Sequence, residues 1–219
     1  MMRILTPSWA GAEPVTHPYP WMVFPPGTAL PHHLIGRLTS SFPKDCYSRR
    51  DASTRDGGKT YRNWSRPAGS GELDSLWRDL LADLSSAAYR ELVAAALDLP
   101  EAGDVELRFV RHARGDWLDP HVDSPDKVFS HIFYFAEQWQ PDWGGHLEIL
   151  GSADPGDVVA SIPPLPGQSV LMARTDRAWH QVSRVANHVP ISRASLLVHG
   201  WRKSRDDSSA TTLPKRQRK

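Results

Sequence analysis

The sequence predicts an α+β protein in which helices come first and a β-rich half follows. The 219-residue chain has about the length of one domain and is long enough to bury a core. Leu and Trp side chains recur every three or four residues over 72–98, which is typical of an amphipathic helix. From Val105 onward, short β-prone runs alternate with turn-forming residues. We therefore expect a single domain over 1–201, with a helical and irregular part over 1–103 and a β-core over 104–201.

The N-terminal part carries weaker signals than the helix that follows it. Residues 1–31 are rich in proline and aromatic side chains and predict an irregular arm with one short strand near Trp21–Phe24. A short helix is expected within 32–43, where a proline closes the segment and cannot continue a helix. Residues 48–70 are polar and contain several glycines, and they predict a long loop.

The stripe over 72–98 is the clearest helix of the sequence, and its Leu and Trp side chains are expected to face the core. Ser85 and Ser86 interrupt the stripe, so we expect the helix either to kink or to divide in two there. Pro100 and Gly103 mark its end, since neither residue type favours a helix interior.

The β-rich half contains six short runs of β-forming residues, bounded by glycine, proline and aspartate turns. Many short strands with turn signals between them are typical of a sandwich or barrel. No glycine-rich segment has the spacing of a nucleotide-binding fingerprint. The six runs lie at about 105–112, 128–135, 146–150, 168–173, 179–185 and 194–201.

Composition and charge argue against several kinds of partner. No run approaches the roughly 18 apolar residues of a membrane span, and the N-terminus lacks the basic and apolar regions of a secretory signal. The net charge is +1, but residues 202–219 carry seven basic and two acidic side chains, a balance of +5 that leaves −4 on 1–201. An acidic body does not suggest a nucleic-acid partner, and we expect the basic tail to be disordered or to contact an acidic partner. The single cysteine, Cys46, fits a reducing, cytoplasmic compartment.

Four residues of the β-rich half carry the strongest chemical signal. His121 and Asp123 are two apart, which places both side chains on the same side of an extended segment. His180 follows later in the chain, and Arg193 comes thirteen residues after it. Two imidazoles and one carboxylate can hold one face of an Fe(II) octahedron and leave three positions open. A His-x-Asp pair arises often by chance, so its neighbours decide how much weight it has.

These neighbours resemble a known family in both order and spacing. Over about 105–201 the sequence resembles the Fe(II)- and 2-oxoglutarate-dependent oxygenases, specifically their prolyl-4-hydroxylase-like branch. The matching segments follow in the order Gly115–Pro120, His121-Val122-Asp123, Val128–Phe135, Gly144–Ile149, Pro166–Met172, Trp179–Val182 and Arg193. The resemblance implies a double-stranded β-helix, a jelly-roll or cupin-like core buttressed by the N-terminal helices.

The resemblance also implies roles for the four residues. His121, Asp123 and His180 would ligate the iron, and Arg193 would form a salt bridge to the distal carboxylate of 2-oxoglutarate. A planar guanidinium suits that role, since it binds a carboxylate at two points and keeps its charge. The interval before Arg193 is longer than is common in the family, so three other arginines are alternatives for the same role: Arg174, Arg177 and Arg184.

Two more side chains stand at co-substrate positions of the family pattern. Tyr134 lies where the family often has a phenol that hydrogen-bonds the same carboxylate, although an ordinary strand aromatic is the alternative. His112 stands where the family commonly has a tyrosine, and it could donate a hydrogen bond to the co-substrate.

The chemistry that the resemblance implies consumes O2 and 2-oxoglutarate, releases succinate and CO2, and oxidises an unactivated C–H bond. Related oxygenases that halogenate carry glycine or alanine where this chain has Asp123. A carboxylate there occupies the coordination position that a halide would need. We therefore expect hydroxylation, or another oxidation such as desaturation, and no halogenation.

The polar segment 48–66 suggests a kind of substrate. It holds six basic residues with Tyr61 and Trp64 between them, and the plain interpretation is a solvated surface loop. The alternative is a lid over the iron that recognises an anionic substrate through Arg62, Arg66 and Trp64.

A chain this compact leaves little surface for a large polymer, so a small anionic metabolite is the expected substrate. Amino acids, acylated amino acids and nucleotides fit equally well. The alternatives are a peptide or protein hydroxylase, and a jelly roll that binds metal or ligand without turnover. No nucleic-acid or membrane partner is expected, and the sequence does not indicate an oligomeric state.

Overall fold

The computed structural model describes residues 4–9, 12–52 and 60–202. The chain is mostly antiparallel β-structure with three α-helices and one short 3-10 helix, Pro141–Trp143, in the described part, and its fold is jelly-roll-like. In that part, none of the helices has the length and apolarity that a membrane crossing requires. Apart from residue 202, the basic tail expected over 202–219 lies outside the described residues, as does the centre of the expected lid.

The helices are α1 (His32–Ser40), α2 (Ser75–Leu84) and α3 (Ala87–Leu97). The stripe over 72–98 therefore forms two helices, and the serine pair explains the break. Ser86 accepts a hydrogen bond from the backbone N–H of Tyr89 and so caps the start of α3. Asp74 caps α2 in the same way.

Eleven strands form one continuous antiparallel sheet in the described part of the chain. Their bounds are β1 (Trp21–Phe24), β2 (Ser48–Ala52), β3 (Tyr61–Pro67), β4 (Asp104–His112), β5 (Trp117–His121), β6 (Lys127–Tyr134), β7 (Leu147–Leu150), β8 (Val158–Ile162), β9 (Ser169–Ala173), β10 (His180–Val182) and β11 (Arg193–Trp201).

The sheet turns at β3, and this turn creates the cavity of the molecule. One set of strands runs in the order β1-β9-β6-β11-β4-β3, and the other in the order β5-β10-β7-β8. Because β3 pairs with β4 through Trp64–Pro67 and with β5 through Tyr61 and Arg62, it joins the two sets. Side chains from both sets line one cavity between them.

The main core lies between the helices and the outer face of the larger set. Trp77 of α2 packs edge-to-face against Phe109 and Phe135, with ring centroids 5.1 and 4.9 Å apart. Strand β11 shows how the two faces differ. Ala194, Leu196 and Val198 join this core, whereas Arg193, Leu197 and His199 line the cavity.

Three strands occupy segments for which the sequence predicted loop or turn. Residues 48–70 form the hairpin β2–β3 in their described part, although a loop was expected. One face of β3 borders the cavity and the other carries cations, so both faces are polar and the usual apolar alternation is missing. Strand β5 begins at Trp117 and lies between the β-runs predicted at 105–112 and 128–135, in an interval where no strand was expected.

Candidate metal centre and adjoining cavity

His121 and His180 are brought together by the pairing of β5 with β10. The two residues are direct partners in that antiparallel register, and their ring centroids lie 4.2 Å apart. Asp123 lies two residues beyond the end of β5, with its Oδ1 atom 4.0 Å from His121 Nε2. One potential ligand atom from each of the three lies within 4.8 Å of those of the other two. The three side chains could therefore hold one metal ion.

Hydrogen bonds to the backbone orient both imidazoles. His121 Nδ1 lies 3.0 Å from the carbonyl oxygen of Asp119, and His180 Nδ1 lies 2.9 Å from that of Ala178. Since a carbonyl oxygen only accepts, each Nδ1 carries the proton and each Nε2 carries the lone pair that a metal needs. A set of two imidazole nitrogens and one carboxylate fits Fe(II).

The carboxylate of Asp123 accepts hydrogen bonds from two residues of β6, the strand that follows it. Lys127 Nζ donates to Oδ1 at 2.8 Å, and Ser130 Oγ donates to Oδ2 at 2.6 Å. Burial alone would raise the pKa of this carboxyl, but the attraction of His180 in its protonated form and of Lys127 outweighs it and holds the pKa well below its usual range. Asp123 is therefore ionised, as a metal ligand must be.

Arg193 lies at the floor of the cavity and is only 1% exposed. Its Nη2 is 3.4 Å from the hydroxyl of Tyr134, and its Nη1 is 3.5 Å from Nδ1 of His112 and 3.4 Å from Oγ of Ser195. Among the residues that the structure describes, no carboxylate lies within 4.0 Å of its guanidinium, and its Nε has no hydrogen-bond partner. Buried charges are ordinarily paired, so this guanidinium could hold an anion.

The neighbours of Arg193 have the protonation states that an anion site requires. Burial, and then the charge of Arg193, lower the pKa of His112 well below its usual value, so its ring is neutral. Because arginine can only donate, His112 Nδ1 is the acceptor and the proton lies on Nε2, which has no partner among the described residues. Burial raises the pKa of Tyr134, which keeps its phenol protonated.

The three alternative arginines lie outside the cavity. Arg174 pairs with Asp176, and Arg184 stacks on Trp117 with its Cζ 4.0 Å from the ring centroid. Arg177 is exposed. Of the four candidates, Arg193 alone lines the cavity in the described part of the chain.

The cavity has a volume of about 280 Å³ and adjoins both the candidate metal ligands and Arg193. Asp123 and His180 lie on its wall together with apolar side chains, and Arg193 lies at its floor. The apolar lining consists of Val110, Leu118, Ile132, Leu147, Met172, Val182 and Leu197. A small organic molecule with an anionic end fits a cavity of this size and composition.

The structure does not bring the three expected substrate residues into the cavity, which corrects the assignment made from the sequence. Arg62 pairs with Asp51 at 3.1 Å on the outer face of β3. Arg66 is fully buried and pairs with Asp45 at 2.6 Å. Trp64 lies under the Arg49 guanidinium, at 5.9 Å from its Cζ.

Alternation along β3 gives the physical reason for this correction. Tyr61, Asn63 and Ser65 are the residues of β3 that line the cavity, so the even-numbered residues between them face the other way. Arg50, one of the six basic residues noted in the 48–66 segment, does line the cavity, and so do three polar side chains of neighbouring strands that no sequence pattern indicated: Arg108, Lys127 and His199. The period of two in β4 and β11 is the signal that could have found Arg108 and His199.

Comparisons with known proteins agree with this geometry. A family model described as the 2OG-Fe(II) oxygenase superfamily matches residues 107–203. A prolyl-4-hydroxylase from Pseudomonas putida is similar in structure, with a TM-score of 0.56 and 19% identity over 84% of this chain and 93% of that one. No curated protein matches the sequence.

Two further solved structures share the fold. A prolyl hydroxylase from Trichoplax adhaerens, in complex with a hypoxia inducible factor peptide fragment, has a TM-score of 0.50 and 15% identity over 77% of this chain and 75% of that one. The epimerase SnoN from nogalamycin biosynthesis has a TM-score of 0.52 and 13% identity over 90% of this chain and 86% of that one. The family match over residues 107–203, just under half of the chain, and the triad of possible iron ligands identify a 2OG-Fe(II) oxygenase domain, and hence a dioxygenase that uses Fe(II), 2-oxoglutarate and O2; the structural likenesses show that its fold is that of the prolyl-4-hydroxylases.

Proposed function

We propose that this dioxygenase hydroxylates an unactivated C–H bond of a small anionic metabolite, such as an amino acid, an acylated amino acid or a nucleotide. His121, Asp123 and His180 hold the iron in this proposal, and Arg193 holds the distal carboxylate of 2-oxoglutarate. The observation that carries the proposal is the Arg193 guanidinium, which is buried beside the triad with no carboxylate within 4.0 Å among the described residues.

The floor of the cavity offers several donors to one carboxylate. Arg193 can present two N–H groups to a pair of oxygens, which is the strong bidentate arrangement. The Tyr134 phenol and the Nε2 proton of His112 add further donors beside it. A dicarboxylate bound here would have its other end near Asp123 and His180, since these residues line the same cavity.

When bound, the iron and the co-substrate supply the oxidising chemistry, in which O2 and 2-oxoglutarate give succinate, CO2 and one oxygen atom for the substrate. The residues of this chain bind and orient the reactants. Asp123 fills a ligand position with a carboxylate, and the Lys127 and Ser130 hydrogen bonds fix its orientation. The apolar side chains around the triad limit the access of water to the reacting atoms.

The size and charge of the cavity favour a small anionic substrate. Its volume of about 280 Å³ has to hold both the co-substrate and the reacting part of the substrate. Four cationic side chains line it against a single carboxylate, that of Asp123, within the described part of the chain; they are Arg50, Arg108, Lys127 and Arg193. The relatives do not decide the substrate, since one was solved with a peptide and another belongs to nogalamycin biosynthesis.

A metabolite screen with Fe(II), 2-oxoglutarate and O2 tests the proposal. The expected result is one metabolite that gains the mass of one oxygen atom while an equal amount of succinate forms, with no product when 2-oxoglutarate is left out. A protein or peptide that gains the oxygen, while no small molecule does, would replace the proposed substrate class with a peptide. Absence of iron-dependent 2-oxoglutarate binding would overturn the function itself.

A further inference from the structure

Three polar side chains form the wall of the cavity where β2, β3 and β4 meet. Arg50 of β2 is the direct partner of Asn63 of β3, and both line the cavity. Arg108 of β4 is the partner of Leu197 of β11, and it lines the cavity next to Ser65 of β3. We call Arg50, Asn63 and Arg108 the polar wall.

Two hydrogen bonds orient the Arg108 guanidinium and leave part of it available to a ligand. Its Nε donates to Ser65 Oγ at 3.1 Å, and its Nη1 donates to Glu106 Oε1 at 3.0 Å. The side chain is still 24% exposed, and the exposed part borders the cavity. A guanidinium that is oriented by two bonds loses little further freedom when it binds an anion.

Arg50 and Asn63 both offer polar atoms to a ligand at the same wall. Arg50 is exposed, and no described carboxylate lies within 4.0 Å of it. Asn63 has a buried Oδ1 without a hydrogen-bond partner in the described part of the chain. A buried amide atom without a partner is destabilising, so a polar ligand beside Arg50 would relieve that cost.

The other two cations of the cavity are already assigned to other groups. Lys127 donates to the Asp123 carboxylate at 2.8 Å. Arg193 lies at the floor beside Tyr134 and His112, where the co-substrate is proposed to bind. Arg50 and Arg108 therefore remain as the cations that a second anion could reach.

We propose that Arg50 and Arg108 bind the anionic group of the substrate, a carboxylate or a phosphate, and that Asn63 hydrogen-bonds a polar group next to it. This inference rests on the proposed function, since it assigns the substrate end of the same cavity. It replaces Arg62, Trp64 and Arg66, which point away from the cavity, as the residues that determine specificity.

Paired probes can test the assignment before the natural substrate is known. The protein is loaded with Fe(II) and saturating 2-oxoglutarate without O2, and probe binding is measured by ligand-observed NMR. One arm uses N-acetyl amino acids with their methyl esters, and the other uses nucleoside monophosphates with their nucleosides. Each anion is paired with an uncharged compound of the same skeleton, in which the carboxylate is esterified or the phosphate is absent, and the two arms separate a carboxylate from a phosphate.

We expect anions of one arm to bind and their uncharged partners not to bind. Arg50→Ala and Arg108→Gln should each weaken binding about tenfold or more, as expected for loss of a charged hydrogen bond. Arg49→Ala is the matched control, since Arg49 is the adjacent residue on the opposite face of β2, and it should change binding by about twofold or less. Glu106→Gln removes the carboxylate that competes for Arg108, so it should tighten anion binding.

The tightening by Glu106→Gln separates a binding role from a structural one, because loss of a structural ion pair would only weaken binding. Equal binding of acids and uncharged partners, failure of every anion to bind, or an Arg49→Ala effect as large as that of Arg50→Ala would each overturn the inference. Binding of 2-oxoglutarate to the same samples is measured in parallel. If 2-oxoglutarate binds and succinate forms in air while the anions fail, only the inference falls; if 2-oxoglutarate does not bind, the proposed function falls.

Discussion

His180 lies directly opposite His121 in the pairing of β10 with β5, so one strand register determines whether the two imidazoles meet. A shift of one residue would turn one of the rings to the other face of the sheet. The register is supported from the other side of β10, where all three residues of that strand pair with β7.

The first prediction concerns removal of one imidazole from this pair. His180→Ala should lower the affinity for Fe(II) by more than about 100-fold and abolish turnover, because even a supporting neighbour of a metal ligand is worth about 10- to 100-fold. Iron binding can be measured by equilibrium dialysis without O2. His188→Ala is the control, since that histidine is exposed and lies 3.9 Å from Asp142, away from the cavity. Undiminished iron affinity in His180→Ala would remove His180 from the site.

How much of this site could be predicted from the sequence depended on whether the alternation of side chains along each strand was visible. His121 and Asp123 lie two residues apart, which indicated that they share one side of an extended segment, whereas their roles and that of Arg193 were implied by the resemblance to a known family. The same period was hidden in β3, where both faces carry polar residues. Without an apolar face, no sequence pattern distinguished Asn63, which lines the cavity, from Arg62, which does not.

The break between α2 and α3 and the strand β5 also depend on contacts that a local sequence pattern does not show. Ser85 and Ser86 predicted a kink or a break in the helix. The structure has a break, because the backbone N–H of Tyr89 donates to Ser86 and caps the start of a new helix. Strand β5 escaped prediction because Asp119 and Pro120, which favour turns, lie within it. Its pairing with β3 and β10 outweighs these local preferences, and such long-range contacts are not visible in a local pattern.

A second prediction follows from the carboxylate of Asp123. Asp123→Gly should lose hydroxylation, since it removes one ligand and leaves Lys127 and Ser130 without their acceptor. The vacated position could take a halide, so weak chloride or bromide binding is expected in the variant. Product masses in buffers with and without chloride provide the measurement. A chlorinated product from the unaltered protein would contradict the role given to Asp123.

A third prediction separates the contribution of Arg193 to 2-oxoglutarate binding from its contribution to the stability of the fold. Arg193→Met should weaken 2-oxoglutarate binding about 10- to 150-fold, the value of one or two charged hydrogen bonds. The same change should leave the melting temperature of the co-substrate-free protein unchanged or higher, because it removes a buried charge that lacks a carboxylate partner among the described residues.

Thermal melting with and without 2-oxoglutarate measures both effects at once. In the unaltered protein the co-substrate should raise the melting temperature, and in Arg193→Met that rise should disappear. Arg184→Met is the control, since Arg184 lies on the surface over Trp117. A large loss of stability in co-substrate-free Arg193→Met would show that the arginine holds the fold together instead of binding an anion.

The last prediction concerns His131, a fully buried histidine that does not line the cavity. Its Nδ1 lies 3.0 Å from the Tyr89 hydroxyl and its Nε2 lies 3.0 Å from Ser169 Oγ, so the neutral ring links α3 to β9 through β6. Burial lowers the pKa of His131 from 6.5 to about 3. The folded state therefore resists protonation of this ring over a range in which the unfolded chain accepts a proton.

The difference between the pKa of His131 in the folded and in the unfolded chain determines how stability changes with pH. Below about pH 6.5 the unfolded chain binds one more proton at this position than the folded protein does, so stability falls as the pH decreases towards 3. The contribution of His131 to this slope is about 1.4 kcal/mol for each pH unit. His131→Gln does not titrate, so its free energy of unfolding, measured with urea between pH 6.5 and 4, should fall less steeply than that of the unaltered protein. The slope is the readout, because the substitution itself can change stability at every pH; equal slopes in the two proteins would mean that His131 is not held neutral by burial.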